Sequence, residues 1–176
     1  MKLLIFDTET TGLPKTRTSA TDGPDNWPHI VSISWVILED NKIIKQREYI
    51  VKPDTWVIPD ESIKIHGITN EIARLKGVSL QDVISEFLAE HCDMMVAHNM
   101  NFDHNVIINA IKWDLGFDFK GFTIPMMCSM TASKSQCKLP GKFGYKVPKL
   151  KELYEFIFKR KPNDSKLHGS MYDALI

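Results

Sequence analysis

Four carboxylates and one histidine stand in short polar stretches that interrupt apolar segments. Asp7 and Glu9 lie in Phe6-Asp7-Thr8-Glu9-Thr10-Thr11-Gly12, Asp103 in Ala97-His98-Asn99-Met100-Asn101-Phe102-Asp103, and Asp173 in His168-Gly169-Ser170-Met171-Tyr172-Asp173-Ala174. In an extended chain the side chains at i and i+2 share a face, so Asp7 and Glu9 can meet one cation. Each acid also has a plainer role: a solvated strand end for the first two, a helix N-terminus for Asp103, and a capping box between Ser170 and Asp173. Brought together at one sheet edge, they form a hard oxygen donor set without cysteine, which selects Mg²⁺ or Mn²⁺ over zinc. Two such ions about 3.5 to 4 Å apart can clamp the attacking and leaving oxygens of a phosphodiester in line. His168 adds an imidazole, which ordinarily titrates near neutral pH and can take a proton from an attacking water. It stands five residues before Asp173, and five helical steps of about 100° would turn the two side chains apart, so His168 is expected on a loop before the helix.

The elements that must position these groups follow from the apolar pattern. Lys2 to Asp7 reads as a short strand, and Ile30 to Leu38 and Ile43 to Val51 form a hairpin across the turn-like Glu39 to Lys42. Leu13 to Pro28, rich in Thr, Asp, Gly and Pro, is a loop. Helices are expected over Pro59 to Ile65 and Asn70 to Leu75, then from a capped start at Ser79 with Asp82. Met94 to Ala97 is a buried strand, and Asn101 to Leu115 a helix with Val106, Ile107, Ala110, Ile111 and Leu115 on one side. Phe122 to Met127 is a further strand, with helices at Ser129 to Lys134, Lys149 to Phe158, and from Ser170 onward. An antiparallel set of strands followed by alternating strands and helices predicts an α/β fold, a mixed sheet with helices on both faces.

The chain has 176 residues, 43% hydrophobic, 25% charged and 10% aromatic, which suits one globular domain, 1–176, and excludes disordered and collagen-like classes. No segment approaches the roughly 18 to 20 apolar residues of a membrane span, and no signal-peptide core is evident, so an intracellular, cytoplasmic protein is the default expectation. Cys92, Cys128 and Cys137 are odd in number and far apart, against a disulfide framework or a cysteine zinc site. The 22 basic and 22 acidic residues cancel overall, yet Lys134 to Lys166 carries ten basic and three acidic residues, a local charge of +7. A solvated face explains such a run, and so does a surface that tracks phosphates beside an acidic metal site.

The three polar stretches, in this order, resemble the motifs of DEDDh 3′–5′ exonucleases, the DnaQ-like group within the RNase H-like fold. Ile65-His66-Gly67-Ile68-Thr69 and Pro148-Lys149-Leu150 with Glu152-Leu153-Tyr154 are similar to further stretches of that family. The resemblance implies a five-stranded mixed sheet, two divalent cations held by Asp7, Glu9, Asp103 and Asp173 with Asp7 bridging, and His168 as general base. It also implies release of nucleoside 5′-monophosphates from single-stranded or frayed 3′ ends of DNA or RNA. The backbone from Thr8 through Thr10 and Thr11 to Gly12 would hold the terminal sugar, and Leu13, His66, Asn99 and Phe102 are candidates to touch the last nucleotides. The choice between DNA and RNA, a polymerase partner and a homodimer all stay open, and a non-cleaving binding module and an endonuclease are the competing readings. Two features depart from the family pattern: Ser32 stands where many relatives carry Gln, and only seven residues run from Ser170 to Ile176. The C-terminal helix is therefore expected to be truncated, with Asp173 on a poorly anchored segment.

Overall fold

The computed structural model describes residues 1–176. Its centre is a five-stranded mixed sheet in the order β3-β2-β1-β4-β5, formed by β1 (Lys2–Thr10), β2 (Ile30–Glu39), β3 (Lys42–Ile50), β4 (Met94–Ala97) and β5 (Met126–Cys128). β1 runs antiparallel to β2 and parallel to β4, and β4 is parallel to β5. The turn between β2 and β3 places Asp40 and Asn41 at positive φ, as a two-residue hairpin turn requires. No helix is long and apolar enough to cross a membrane.

Strand alternation divides β1 into two chemically distinct faces. Leu4 and Phe6 point into the main core, opposite Ile37 and Trp35 of β2. There α3 (Leu80–Leu88) seats Phe87 edge-on against Phe6 and Trp35, each at 5.4 Å between ring centroids, and α4 (Met100–Asn109) adds Val106 and Ile107. Asp7 and Glu9 are out of phase with this apolar set and fall on the other face, opposite Ser34 and Ser32 of β2. The last helix, labelled α8 below, packs on that second face, so helices cover both sides as the pattern requires. The short α1 (Asp60–His66) and α2 (Asn70–Lys76) place Ile63 and Ala73 in a smaller cluster with Val31 and Ile58.

Several expected boundaries move. β1 extends past Asp7 to Thr10 because its pairing with β2 continues through a bulge at Glu9 and Thr10, so both acids lie within the strand. The expected Phe122–Met127 strand is shortened and shifted to Met126–Cys128; Pro125, with no N–H for a ladder, contributes only its carbonyl, which accepts Met95 N at 2.9 Å. Phe122 instead packs against Phe119 and Phe87. The long helix ends as α4 at Asn109 and continues as one π-helical turn, Ala110–Asp114, where Leu115 N donates to Ala110 O. Ser129 to Lys134 divides into two single turns, α5 (Ser129–Ala132) and α6 (Lys134–Cys137). A two-stranded hairpin that the pattern does not reveal, β6 (Pro140–Gly141) with β7 (Gly144–Tyr145), precedes α7 (Leu150–Phe158) and α8 (Ser170–Leu175). The expected cap at Ser79 forms, its Oγ accepting from Asp82 N at 3.1 Å.

Candidate active site

The site lies where β1 outruns its parallel neighbour. β4 pairs with β1 only from Leu3 to Ile5, so beyond Ile5 this edge of β1 faces the start of α4. Asp103, 2% exposed, reaches across: one of its oxygens accepts Thr8 N at 3.1 Å and Thr8 Oγ1 at 2.7 Å. Thr8 is thereby turned toward Asp103, leaving Asp7 and Glu9 on the opposite side of the strand.

α8 brings the fourth carboxylate. Ser170, buried at its first turn, meets Ser34 Oγ at 2.7 Å and Ser32 Oγ at 3.1 Å, and Ala174 is buried one turn on. These contacts correct the expectation of a poorly anchored segment: α8 is short, but its first turn is clamped to β2 through three hydroxyls. The anticipated capping box is absent, since Ser170 is committed to the sheet and Gly169 is the N-cap. Asp173 turns back instead, one oxygen accepting His168 N at 3.1 Å while Oδ1 is buried without a hydrogen-bond partner. His168 precedes the helix at φ +63° and is exposed. Ligand atoms of Glu9, His168 and Asp173 lie within 4.8 Å of one another, a spacing that one metal ion could bridge.

The four carboxylates lie near enough to perturb one another's protonation, although only Glu9 and Asp173 join His168 in the tight ligand cluster. Burial raises the Asp7 pKa well above its ordinary value, and Asp103, Glu9 and Asp173 raise it further by repulsion. Glu9 is pushed up to about 8 by burial and then by Asp173 and Asp103. Asp103 rises to about 7 through burial, opposed by its bonds from Thr8, and burial also raises Asp173. No lysine or arginine forms an ion pair with any of the four. Uncompensated acids together with the unpartnered Asp173 Oδ1 describe a site that could hold a cation.

The remaining candidates divide by what the fold does with them. Thr10 Oγ1 donates to Gly12 O at 2.7 Å, and Thr11 Oγ1 accepts His29 N at 3.0 Å, so both hydroxyls brace the turn after β1. Leu13, 82% exposed, projects from that turn. His66 lines a cleft of about 550 Å³ with Glu9, Ser32, His168 and Ser170. Its Nδ1 accepts Ile68 N at 3.1 Å, which places the proton of the neutral ring on the buried Nε2; burial lowers the ring's pKa, opposed by the Thr10 backbone. Asn99 is exposed at φ +73° at the entrance to α4, and Phe102 leans on Trp27 at 5.9 Å. Sequence reasoning missed Ser34, although Ser32 and Ser34 at i and i+2 in an apolar strand were the available signal.

A family model described as exonuclease (RNase T) matches residues 4–176. The chain belongs to this exonuclease family. It is 30% identical over 137 residues to a PolC-type DNA polymerase III of Thermotoga petrophila, covering 77% of this chain but 9% of that protein. It is 32% identical over 105 residues to exodeoxyribonuclease 10 of Escherichia coli K12, covering 60% of this chain and 40% of the relative. The chain thus spans less than half the length of either relative. An exonuclease X solved in complex with 5′ overhanging duplex DNA superposes with a TM-score of 0.64 at 26% identity, over 98% of this chain and 84% of that one. E. coli exonuclease I with a dT13 oligonucleotide shares the fold, with a TM-score of 0.70 at 18% identity over 99% of this chain and 39% of that one. The architecture is therefore the RNase H-like α/β fold of these exonucleases. Divalent metal use is typical of the family.

The hydroxyl clamp makes a testable demand. Ser170→Ala is expected to leave Ser32 and Ser34 short of a buried partner, at a cost of about 1 to 3 kcal/mol, read as a fall in melting temperature of about 2 to 10 °C. Because the clamp sets the position of Asp173, exonuclease turnover should fall as well. Unchanged melting and turnover would mean that α8 is held by other contacts.

Proposed function

We propose that the chain is a metal-dependent 3′–5′ exonuclease that hydrolyses phosphodiesters at the 3′ end of DNA or RNA and releases nucleoside 5′-monophosphates. The observation that carries this reading is the convergence of Asp7, Glu9, Asp103 and Asp173, without any basic partner, beneath an exposed His168. Two divalent cations, Mg²⁺ or Mn²⁺, held by these four acids would activate the attacking water and offset charge on the scissile phosphate. His168 takes the water proton, and its place at the rim on a positive-φ turn gives the imidazole access to solvent and substrate. The braced backbone from Thr10 to Gly12 holds the terminal sugar, and His66 lines the cleft beside it. Leu13, Asn99 and Phe102 border the terminal bases. Lys134, Lys138, Lys142 and Lys149 form no ion pair and offer the strand's phosphates a path, whereas Lys146 and Lys151 are paired with Glu152 and Asp164. The substrate is a single-stranded or frayed 3′ end, and the likeness to exonuclease X with 5′ overhanging duplex DNA adds a recessed 3′ end at a duplex junction; by the likeness to PolC, work beside a polymerase is one setting for it.

A time course on matched 3′- and 5′-labelled DNA and RNA strands, with Mg²⁺, Mn²⁺ or EDTA, tests the reading. The expected result is early loss of the 3′ label as mononucleotide and a 5′-labelled ladder that shortens from its 3′ end, both halted by EDTA. Discrete internal fragments would make the protein an endonuclease, binding without release would make it a binding module, and undiminished cleavage after chelation would remove the metal.

A further inference from the structure

The hairpin formed by β6 and β7 carries the most exposed large apolar side chain of the protein. Gly141 and Gly144 pair across a two-residue tip, Lys142-Phe143, in which Gly144 takes φ +98°. A side chain at Gly141 would come within 2.9 Å of Gly144 O, so the tip is this tight only with glycine there. Phe143 is 92% exposed and touches no other ring, its nearest companion being the Lys142 ammonium at 5.3 Å from the ring centroid; Tyr145, 54% exposed, follows. The feet of the hairpin, by contrast, are fixed. Cys137 and Pro148 are buried, Lys146 N donates to Leu139 O at 3.0 Å, and His98 Nε2 donates to Pro148 O at 3.2 Å. Because Pro148 O can only accept, His98 carries its proton on Nε2, and Nδ1 accepts from Ser129 Oγ at 3.0 Å. His98 follows β4 and Ser129 follows β5, so the hairpin is tied to the carboxyl ends of the two parallel strands, where the first turn of α4 also holds Asp103. Ligands of open α/β sheets bind at that edge.

A fixed base, a projecting aromatic tip, and flanking Lys138 and Lys142 without salt-bridge partners combine the two elements of sequence-tolerant single-strand binding: a stacking ring and a cationic track. We infer that Phe143 stacks on an unpaired base of the strand being degraded, upstream of its terminal nucleotide, while the lysines hold the adjoining phosphates. This rests on the nucleic-acid-end reading above.

The test separates the two claims. Binding is measured by fluorescence anisotropy with 5′-labelled dT12 and rU12 on an Asp7→Asn background, which suppresses cleavage. Phe143→Ala is expected to weaken binding roughly 5- to 100-fold, and Phe143→Trp to preserve it. In the otherwise unaltered protein, Phe143→Ala should retain hydrolysis of thymidine 5′-(p-nitrophenyl phosphate), which has no upstream base to stack. Unchanged affinity for both oligonucleotides overturns the inference, as does parallel loss of the small-ester hydrolysis, which would place Phe143 in support of the carboxylate site. Binding to phosphatidylserine vesicles that Phe143→Ala abolishes, with oligonucleotide affinity intact, overturns it in favour of a membrane surface. Weakened oligonucleotide binding in a protein whose Phe143-bearing form cleaves nothing would uphold the stacking role and overturn the exonuclease reading instead.

Discussion

His168→Ala lowers turnover of a 3′-labelled single strand by about 10²- to 10⁴-fold, the range for loss of a positioned general base, with the melting temperature little changed. The side chain is exposed and leaves no cavity when removed, and the contact that holds its turn, His168 N to Asp173, belongs to the backbone and survives the substitution. The carboxylates remain, so the variant should still bind oligonucleotide. Partial rescue by free imidazole would separate a proton-transfer role from a structural one. Digestion at the wild-type rate would remove His168 from the chemistry.

The carboxylate cluster makes the metal-free protein less stable as pH rises. Glu9 at about 8, Asp103 at about 7 and the raised Asp7 all hold protons in the folded state that the unfolded chain releases near pH 4. Where folded pKa values exceed unfolded ones, the stabilisation is fully present below the unfolded values and is lost as pH climbs through the folded ones. The window therefore runs from about pH 4 to about pH 8. Glu9→Gln removes one participant, so the informative quantity is the gap between the two proteins in EDTA. It should be small near pH 4.5 and grow until, at pH 8, the variant melts about 5 to 10 °C above wild type, given roughly 2 to 4 °C per kcal/mol for a chain of this size. Mn²⁺ or Mg²⁺ should raise the wild-type melting temperature at pH 8 and affect the variant less, because binding to the folded state alone stabilises it. A gap independent of pH, or wild-type melting insensitive to both ions, would mean that the four acids do not share a cation site.

Most of the site was readable because strand chemistry is local. Two acids at i and i+2 beside Phe6 must lie on the face opposite that side chain, and that parity holds wherever the strand ends. This is why extending β1 to Thr10 changed the boundary without moving Asp7 or Glu9 to a different face. The turn at Asp40-Asn41 and the cap at Ser79 were legible for the same reason, as each is specified within four residues. Readings that failed depended on distant partners. Phe122 looks like a strand residue until Phe87 and Phe119 are near it, and Ser170 looks like a cap until Ser34 is beneath it. A helix of six residues looks loose until its first hydroxyl is buried.

By itself the sequence determined the donor types, their order and their parity: four carboxylates, one histidine, and a neutral total charge made of an acidic body and a basic stretch from Lys134 to Lys166. These follow from residue identity and short-range geometry. Only the tertiary structure decided that the pairing of β1 with β4 stops at Ile5, leaving Thr8 free for Asp103, and that Ser32 and Ser34 clamp α8 so that Asp173 lies near Glu9. It also decided that the basic stretch rises into a hairpin whose tip shows Phe143 to solvent. Such decisions turn on groups far apart in the chain, Thr8 meeting Asp103 across 95 residues and Ser32 meeting Ser170 across 138, and a side chain's neighbours at that range are set by packing and hydrogen-bond satisfaction rather than by its own identity.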